Sequence, residues 1–162
     1  MAMVTLIVME PGSEWPGHAG EAEDVVAVGN DGQESLLERT RSELDSIRLR
    51  GQHVRVALLA CNEATDPTSV TSRAEVAHDL LTAVAAARFG RLALTASDRT
   101  SMRQRCELLS LAGELSLRIQ GMTATVSVRF GEGRRRETGL ADGIGAEVLT
   151  SALRYHGYAQ SA

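Results

Sequence analysis

Short apolar segments alternate with amphipathic helical segments along this chain, and no other feature of the sequence restricts its fold as strongly. Glycine or polar turn residues close most of the apolar segments, as they close buried strands. The predicted strands are residues 4–9, 24–28, 53–60, 92–96 and 124–130. Because most of these strands are followed by a helical segment, the pattern predicts an α/β protein with a largely parallel sheet and right-handed crossovers.

The segments between the strands carry apolar side chains at helical spacing, with charged side chains between them. The first predicted helix covers residues 33–50, the second follows a loop at 61–71, and the third covers 102–120. A polar residue three positions before a glutamate can form a capping box and so predicts a helix start. The predicted pairs are Asp31 with Glu34 and Ser72 with Glu75, and Asp98, Thr100 or Ser101 is expected to cap the third helix.

The hydrophobic pattern also predicts where two strands lie in the sheet. The second half of 53–60 is apolar on both faces, which is typical of a central strand. Residues 124–130 alternate between apolar and polar, which predicts an edge strand or one whose polar face meets a loop or a second subunit. No helical segment separates 4–9 from 24–28, so an irregular parallel crossover and an antiparallel pairing both stay open. The predicted architecture is a three-layer sandwich with a five-stranded sheet, flavodoxin-like or Rossmann-like, with room for one antiparallel edge strand.

Composition predicts one domain over residues 1–162, in which 131–162 form a glycine- and arginine-rich loop and a short last helix. Apolar residues make up 43% of the chain and charged residues 23%, which suits a globular protein with its own core. The apolar runs are too short for a membrane span, and the first residues lack the pattern of a secretion signal. Two cysteines without paired spacing fit a reducing compartment. We therefore expect a cytoplasmic protein with no membrane association.

All 17 basic residues are arginine, so chemistry that requires a lysine amine is excluded. The absence of lysine is typical of a high-GC genome. The formal net charge of -4 lacks the basic footprint of a general nucleic-acid binder, so no nucleic-acid partner is expected. The sequence indicates no particular cofactor. The histidines share no metal-ligand spacing with a carboxylate or a cysteine, so no metal site is predicted.

In an open parallel sheet, ligands bind at the carboxyl ends of the strands, where helix N-termini present free N–H groups. The candidate ligand-binding residues are those that follow the predicted strands. They are Gly29, Asn30 and Gly32, then Cys61 and Asn62, then Ser97 and Asp98, and, if the last strand is parallel, Arg134 and Arg135. Loop N–H groups and guanidinium groups together suit a small anion or a nucleotide phosphate. The glycines do not complete a dinucleotide fingerprint, and they equally suit a turn.

Cys61 is the candidate for catalysis. Ala60-Cys61-Asn62 at a strand end, together with His18-Ala19-Gly20, resembles the cysteine and histidine motifs of caspase-like cysteine peptidases, including the CHAT group. This resemblance covers only those residues and implies a hydrolase with Cys61 as nucleophile and His18 as base. The alternative role of Cys61 is a small buried thiol that packs like alanine.

Two other α/β families match the chain less well. The glycine-rich nucleotide signature of universal stress proteins is not matched by residues 131–133 or 139–143. A phosphoreceiver needs an acceptor aspartate and a lysine, but here the third strand ends in Cys61-Asn62 and no lysine exists.

Three functions of different classes are therefore open. The first is a non-catalytic module that binds a small anionic ligand or nucleotide at the strand ends and forms a homodimer, with residues 124–130 as the expected contact. The second is a cysteine hydrolase that uses Cys61 and His18. The third is a protein-interaction subunit without a ligand, which holds its partner through the loop around Trp15 or the arginine loop at 134–136.

Overall fold

The computed structural model describes residues 2–14, 16, 24–29, 34–64 and 66–131, and these contain five strands and three helices. In chain order they are β1 (Met3–Met9), β2 (Asp24–Gly29), α1 (Leu36–Leu49), β3 (His53–Ala60), α2 (Pro67–Ala85), β4 (Arg91–Ala96), α3 (Met102–Arg118) and β5 (Thr125–Phe130).

The strands form one sheet in the order β2-β1-β3-β4-β5, and neighbouring strands are parallel throughout. This is the strand order of flavodoxin-like folds. The predicted α/β class with a five-stranded parallel sheet is therefore confirmed. Neither antiparallel arrangement occurs: β1 and β2 are parallel although no described helix joins them, and β5 is parallel to β4.

Both faces of the sheet are buried near its centre, as a three-layer sandwich requires. Ala57 and Leu59 of β3 belong to the larger core, which the sheet forms with α1, α2 and α3. Leu58 lies on the other face of β3 and packs with Ile7 and Ala93. The prediction that residues 53–60 form the central strand is thus confirmed, because strands flank β3 on both sides and both of its faces are covered.

α1 begins later than predicted because Ser35 caps it. The hydroxyl of Ser35 accepts a hydrogen bond from the N–H of Glu38 at 3.1 Å. The prediction that Asp31 caps this helix is therefore wrong. The sequence contains two pairs with capping-box spacing, Asp31 with Glu34 and, one turn later, Ser35 with Glu38, and the second pair marks the helix start. α3 begins behind Ser101, one of its three predicted caps.

α2 begins earlier than predicted, because Asp66 is its N-cap and Pro67 is its first residue. The carboxylate of Asp66 accepts from the N–H of Ser69 at 2.8 Å. Proline suits the first helical position, where its missing N–H would have no partner. Ser72 therefore lies inside the helix, and its predicted role as a cap is wrong.

β5 lies at one edge of the sheet, as predicted, with Val126 and Val128 buried and Thr125 exposed. Of the predicted loop and last helix at 131–162, only Gly131 lies within the described residues, so these features and the single domain stay predictions. No helix in the described ranges is both long enough and apolar enough to cross a bilayer. The homodimer and the cytoplasmic location also stay predictions.

Candidate functional site

The strands end at one side of the sheet, here called the carboxyl edge, and the N-termini of α1, α2 and α3 lie at that side. Several predicted ligand-binding residues follow strands there. These are Gly29, Cys61, Asn62, Ser97 and Asp98. The other candidates, Asn30, Gly32, Arg134 and Arg135, and the proposed base His18 lie outside the described residues.

A buried ion pair joins the end of β1 to α2. Arg73 donates from Nε to Oε2 of Glu10 at 2.7 Å and from Nη2 to Oε1 at 2.6 Å. The Arg73 side chain is 3% exposed and that of Glu10 is 13% exposed. Burial acts to lower the pKa of Arg73, but the hydrogen bond and the negative charge of Glu10 outweigh it, and the pKa is raised. This guanidinium is therefore charged and is neutralised within the chain.

Asn62 joins the loop after β1 to the end of β3. Its Nδ2 donates to the carbonyl of Pro11 at 2.9 Å, and its backbone N–H donates to Oε1 of Glu10 at 2.9 Å. Gly12 passes so close that a Cβ there would overlap Asn62 Nδ2, and its φ of 77° also favours glycine. β1 and β3 are the strands between which the strand order reverses, where ligands bind in this fold class. In the part of the chain that the structure describes, Asn62 and Glu10 occupy this crevice.

Gln104 extends the same network from α3. It is fully buried, and its Nε2 donates at 2.7 Å to the carbonyl of Asn62, which also accepts from Arg73 at 2.6 Å. The other amide atom of Gln104, Oε1, has no hydrogen-bond partner. The network therefore connects β1, β3, α2 and α3 through charged and amide groups beneath the carboxyl edge.

Carboxylates of the chain occupy the N-termini of α2 and α3. Asp66 accepts from the N–H and the hydroxyl of Ser69 at 2.8 and 3.0 Å, and Glu63 accepts from the same two groups of Ser101 at 2.7 and 3.0 Å. The N–H of Ser69 lowers the pKa of Asp66, and the N–H of Ser101 lowers the pKa of Glu63. A helix N-terminus attracts anions, and here internal anions already hold both positions.

Two more arginines at this edge donate to backbone carbonyls. Nη2 of Arg103 donates to Ala64 at 2.9 Å, and Nη2 of Arg105 donates to Asp98 at 2.7 Å. The guanidinium carbon of Arg105 also lies 4.7 Å from the ring centroid of Phe130, within range of a cation–π contact. These cations thus hold the loops and the end of β5 in place.

Cys61 has surroundings that oppose reactivity. It is 4% exposed, and its Sγ donates to the carbonyl of Leu59 at 3.5 Å. Burial raises the pKa of the thiol, and the negative charge of Glu10 raises it further. A nucleophilic cysteine needs the opposite change, a lowered pKa. The described surroundings therefore favour the packing role for Cys61.

The space beside Cys61 is too small for an organic ligand. A cavity of about 10 Å³ lies between Cys61 and Ser97, and Glu14 and Pro16 of the loop after β1 form part of its wall. That volume holds about one water molecule. Among the described residues, no three His, Cys, Asp or Glu side chains are grouped so that they could hold a metal ion.

A larger cavity, of about 670 Å³, lies between α1 and α2 and extends to the start of β3, where the sequence analysis predicted no site. The side of the sheet where the strands begin is here called the amino edge. Leu44, Ile47, Val54 and Ala83 supply apolar lining to the cavity. Its volume is in the range of small-molecule and peptide-anchor pockets.

No protein-family model, curated protein or solved structure matches this chain. Its function is therefore inferred from the described residues alone.

Proposed function

We propose that this chain is a non-catalytic α/β module that binds a protein partner and takes no small anionic ligand at its strand ends. The observation that supports a protein partner is the exposure of the large apolar side chains of Leu49, Phe89 and Met122. The observation against an anionic ligand is that the buried cation and two helix N-termini at the carboxyl edge are paired within the chain. Arg73 is paired with Glu10, and the N-termini of α2 and α3 are held by Asp66 and Glu63.

An anion at this edge would have to displace one of those carboxylates. Anion sites in parallel sheets use free N–H groups and unpaired cations. Arg73 donates instead to a carboxylate, and Arg103 and Arg105 donate to carbonyls. A bound phosphate would also lie close to Glu10 and Glu63, and the repulsion would oppose binding.

The hydrolase alternative has less support than the interaction module. Its nucleophile, Cys61, is buried and has a raised pKa, so little thiolate forms at neutral pH. A substrate would also need to displace the loop containing Glu14 and Pro16 to reach the thiol.

Thermal unfolding in the presence of nucleotides and phosphates tests this proposal. A ligand that binds only the folded chain stabilises it by about 2.7 kcal/mol at 100 times its Kd, which raises Tm by several degrees. We expect no such rise with ATP, GTP, NAD or inorganic phosphate. A saturable rise that is lost in Asn62→Asp would overturn the proposal and favour the anionic-ligand module.

A further inference from the structure

Three turns at the amino edge expose large apolar side chains. Leu49 ends α1 and is 83% exposed, Phe89 precedes β4 and is 61% exposed, and Met122 precedes β5 and is 57% exposed. These turns follow one another along the sheet edge, because β3, β4 and β5 are neighbours. Phe89 donates its N–H to Oγ1 of Thr123 at 3.1 Å, which ties the turns of Phe89 and Met122 together. Adjacent exposed apolar groups of this kind mark interaction surfaces.

The backbone holds Phe89 outward despite a conformational cost. Its φ is 58°, in the left-handed region that glycine adopts readily and bulky residues avoid. The next residue, Gly90, has no room for a side chain, since a Cβ there would overlap the carbonyl of Val84. Strained residues of this kind concentrate at functional sites.

Three arginines lie in or next to the turns that carry Phe89 and Met122. Arg88 lies with its guanidinium carbon 5.4 Å from the Phe89 ring centroid, Arg91 begins β4 and Arg118 ends α3. Within the described part of the chain, Arg91 and Arg118 form no ion pair. The turns before β4 and β5 therefore carry a basic group of three arginines in a chain whose formal net charge is -4, while Asp45 and Asp79 in the neighbouring cavity are paired with Arg48 and Arg41.

We propose that this amino-edge surface, made of Leu49, Phe89, Met122 and the arginines 88, 91 and 118, docks an acidic amphipathic segment of a partner protein. The inference rests on the proposed interaction function and names its site and the chemistry of its partner. Acidic side chains of the segment pair with the arginines, and its apolar side chains contact Phe89 and Met122. The cavity between α1 and α2, which reaches Ala86 before the Phe89 turn, takes an apolar anchor.

Two other occupants fit less well. A second copy that used the same surface would bring arginine against arginine, which opposes a symmetric contact. A nucleic acid would satisfy the arginines, but its phosphates would leave the apolar cavity and the exposed Leu49 without partners.

Fluorescence anisotropy with three labelled synthetic peptides of equal length tests the docking surface. The first is acidic and amphipathic, the second has the same apolar residues with lysine in place of glutamate, and the third is polyglutamate. We expect saturable, salt-sensitive binding of the first peptide alone. Equal binding of polyglutamate or of a labelled oligonucleotide would mean that charge alone is recognised, and would overturn the proposal.

Matched variants locate the binding surface. The double variant Leu49→Ser, Phe89→Ser should weaken binding of the acidic peptide by about tenfold or more. Met102→Ser is its control, because Met102 is 74% exposed but lies at the carboxyl edge. An equal loss of peptide affinity in the double variant and in Met102→Ser would contradict the assignment of binding to the amino edge.

Charge reversal tests the arginines separately. Arg88→Glu, Arg91→Glu should reject the acidic peptide and gain affinity for the lysine peptide, whereas Arg99→Glu at the carboxyl edge should change neither. Tm is measured for every variant, so that a folding defect is recognised.

The outcomes separate this inference from the proposed function. If no peptide binds the wild-type chain and nucleotides still leave Tm unchanged, the docking surface is wrong while the proposed function stands. If a nucleotide raises Tm, the proposed function itself is wrong. Self-association that is lost in the double variant Leu49→Ser, Phe89→Ser would replace the partner protein with a second copy and overturn the inference.

Discussion

At the scale of single residues, the pairing of Arg73 determines whether a buried cation at the carboxyl edge is available to bind an anion. Its guanidinium lies between Glu10 and the carbonyl of Asn62, so the strongest buried cation of this edge is already satisfied. Breaking a buried pair costs far more than the net gain from forming it, because the remaining charge is left without a partner.

Arg73→Met should therefore lower the free energy of unfolding by about 3–5 kcal/mol, since Glu10 stays partly buried without its partner. Urea denaturation measures this change. The double variant Glu10→Met, Arg73→Met should recover more than half of the loss, because no unpaired charge remains. Arg48→Met is the surface control, as its pair with Asp45 is mostly exposed and contributes little. Equal losses in Arg73→Met and Arg48→Met would contradict the buried pair.

The buried thiol of Cys61 should make the free energy of unfolding depend on pH in the alkaline range. Its folded pKa is raised by burial, whereas in the unfolded chain a thiol ionises near pH 8.5. Above that pH the unfolded chain loses a proton that the folded chain keeps, so stability present below pH 8.5 is lost as the pH rises. The expected loss is about 1.4 kcal/mol per pH unit.

Urea denaturation at a series of pH values measures this slope in the wild type and in Cys61→Ala, which should lack it. Cys106→Ala is the matched control, because Cys106 is only partly buried. A slope that persists unchanged in Cys61→Ala would show that another group titrates.

Phe89→Gly separates stability from binding. Glycine adopts a φ of 58° without strain, so the variant should be more stable than the wild type by about 1 kcal/mol, measured by urea denaturation. The same variant should bind the acidic peptide more weakly, since it lacks the exposed ring. If Phe89→Gly were less stable than the wild type and bound the peptide equally well, Phe89 would be neither strained nor part of the docking surface.

At the scale of elements, strands are predicted from the sequence more accurately than helix starts. The bounds of β3 agree with the prediction, because burial on both faces leaves an apolar run between polar turns. Helix starts depend on which of several capping residues makes its hydrogen bond. Serine and aspartate occur near both predicted starts, and spacing alone does not distinguish Ser35 from Asp31 or Asp66 from Ser72.

The cap of α2 gives a direct comparison of these alternatives. Asp66→Ala should lower Tm by about 3 °C, because the N–H of Ser69 loses its acceptor. Ser72→Ala should leave Tm nearly unchanged, since Ser72 lies within the helix. Differential scanning calorimetry measures both changes. A larger loss in Ser72→Ala than in Asp66→Ala would support the cap predicted from the sequence.

The buried polar residues of α2 and α3 could have been found from helical spacing. Arg73 shares the buried side of α2 with Ala77 and Leu80, and Gln104 shares that of α3 with Leu108. A polar residue on such an apolar stripe indicates a buried partner. Its identity could not be predicted, because Glu10 is distant in sequence and meets Arg73 only when β1 lies beside β3.

At the scale of the whole molecule, the strand order divides the chain into two different edges. Among the described residues, carboxylates pair with Arg73 and with the N-termini of α2 and α3 at the carboxyl edge, whereas Arg91 and Arg118, which form no ion pair there, and exposed apolar side chains lie at the amino edge. Which charged groups are paired within the chain could not be predicted from the sequence, because partners such as Glu10 and Arg73 are distant along the chain and meet only in the folded structure. Gly29, Cys61, Asn62, Ser97 and Asp98 follow strands at the carboxyl edge, and their role in ligand binding stays a prediction. The cap of α2 by Asp66 is local, whereas the pairing of Glu63 with Ser101 depends on tertiary structure.

Amide NMR of the isotope-labelled chain, titrated in turn with ATP and with the acidic amphipathic peptide, compares the two edges in one measurement. The peptide should shift the signals of Leu49, Phe89 and Met122, and ATP should leave those of Asn62 and Ser97 unchanged. Saturable shifts at Asn62 and Ser97 with ATP, and none at the amino edge with the peptide, would contradict the account.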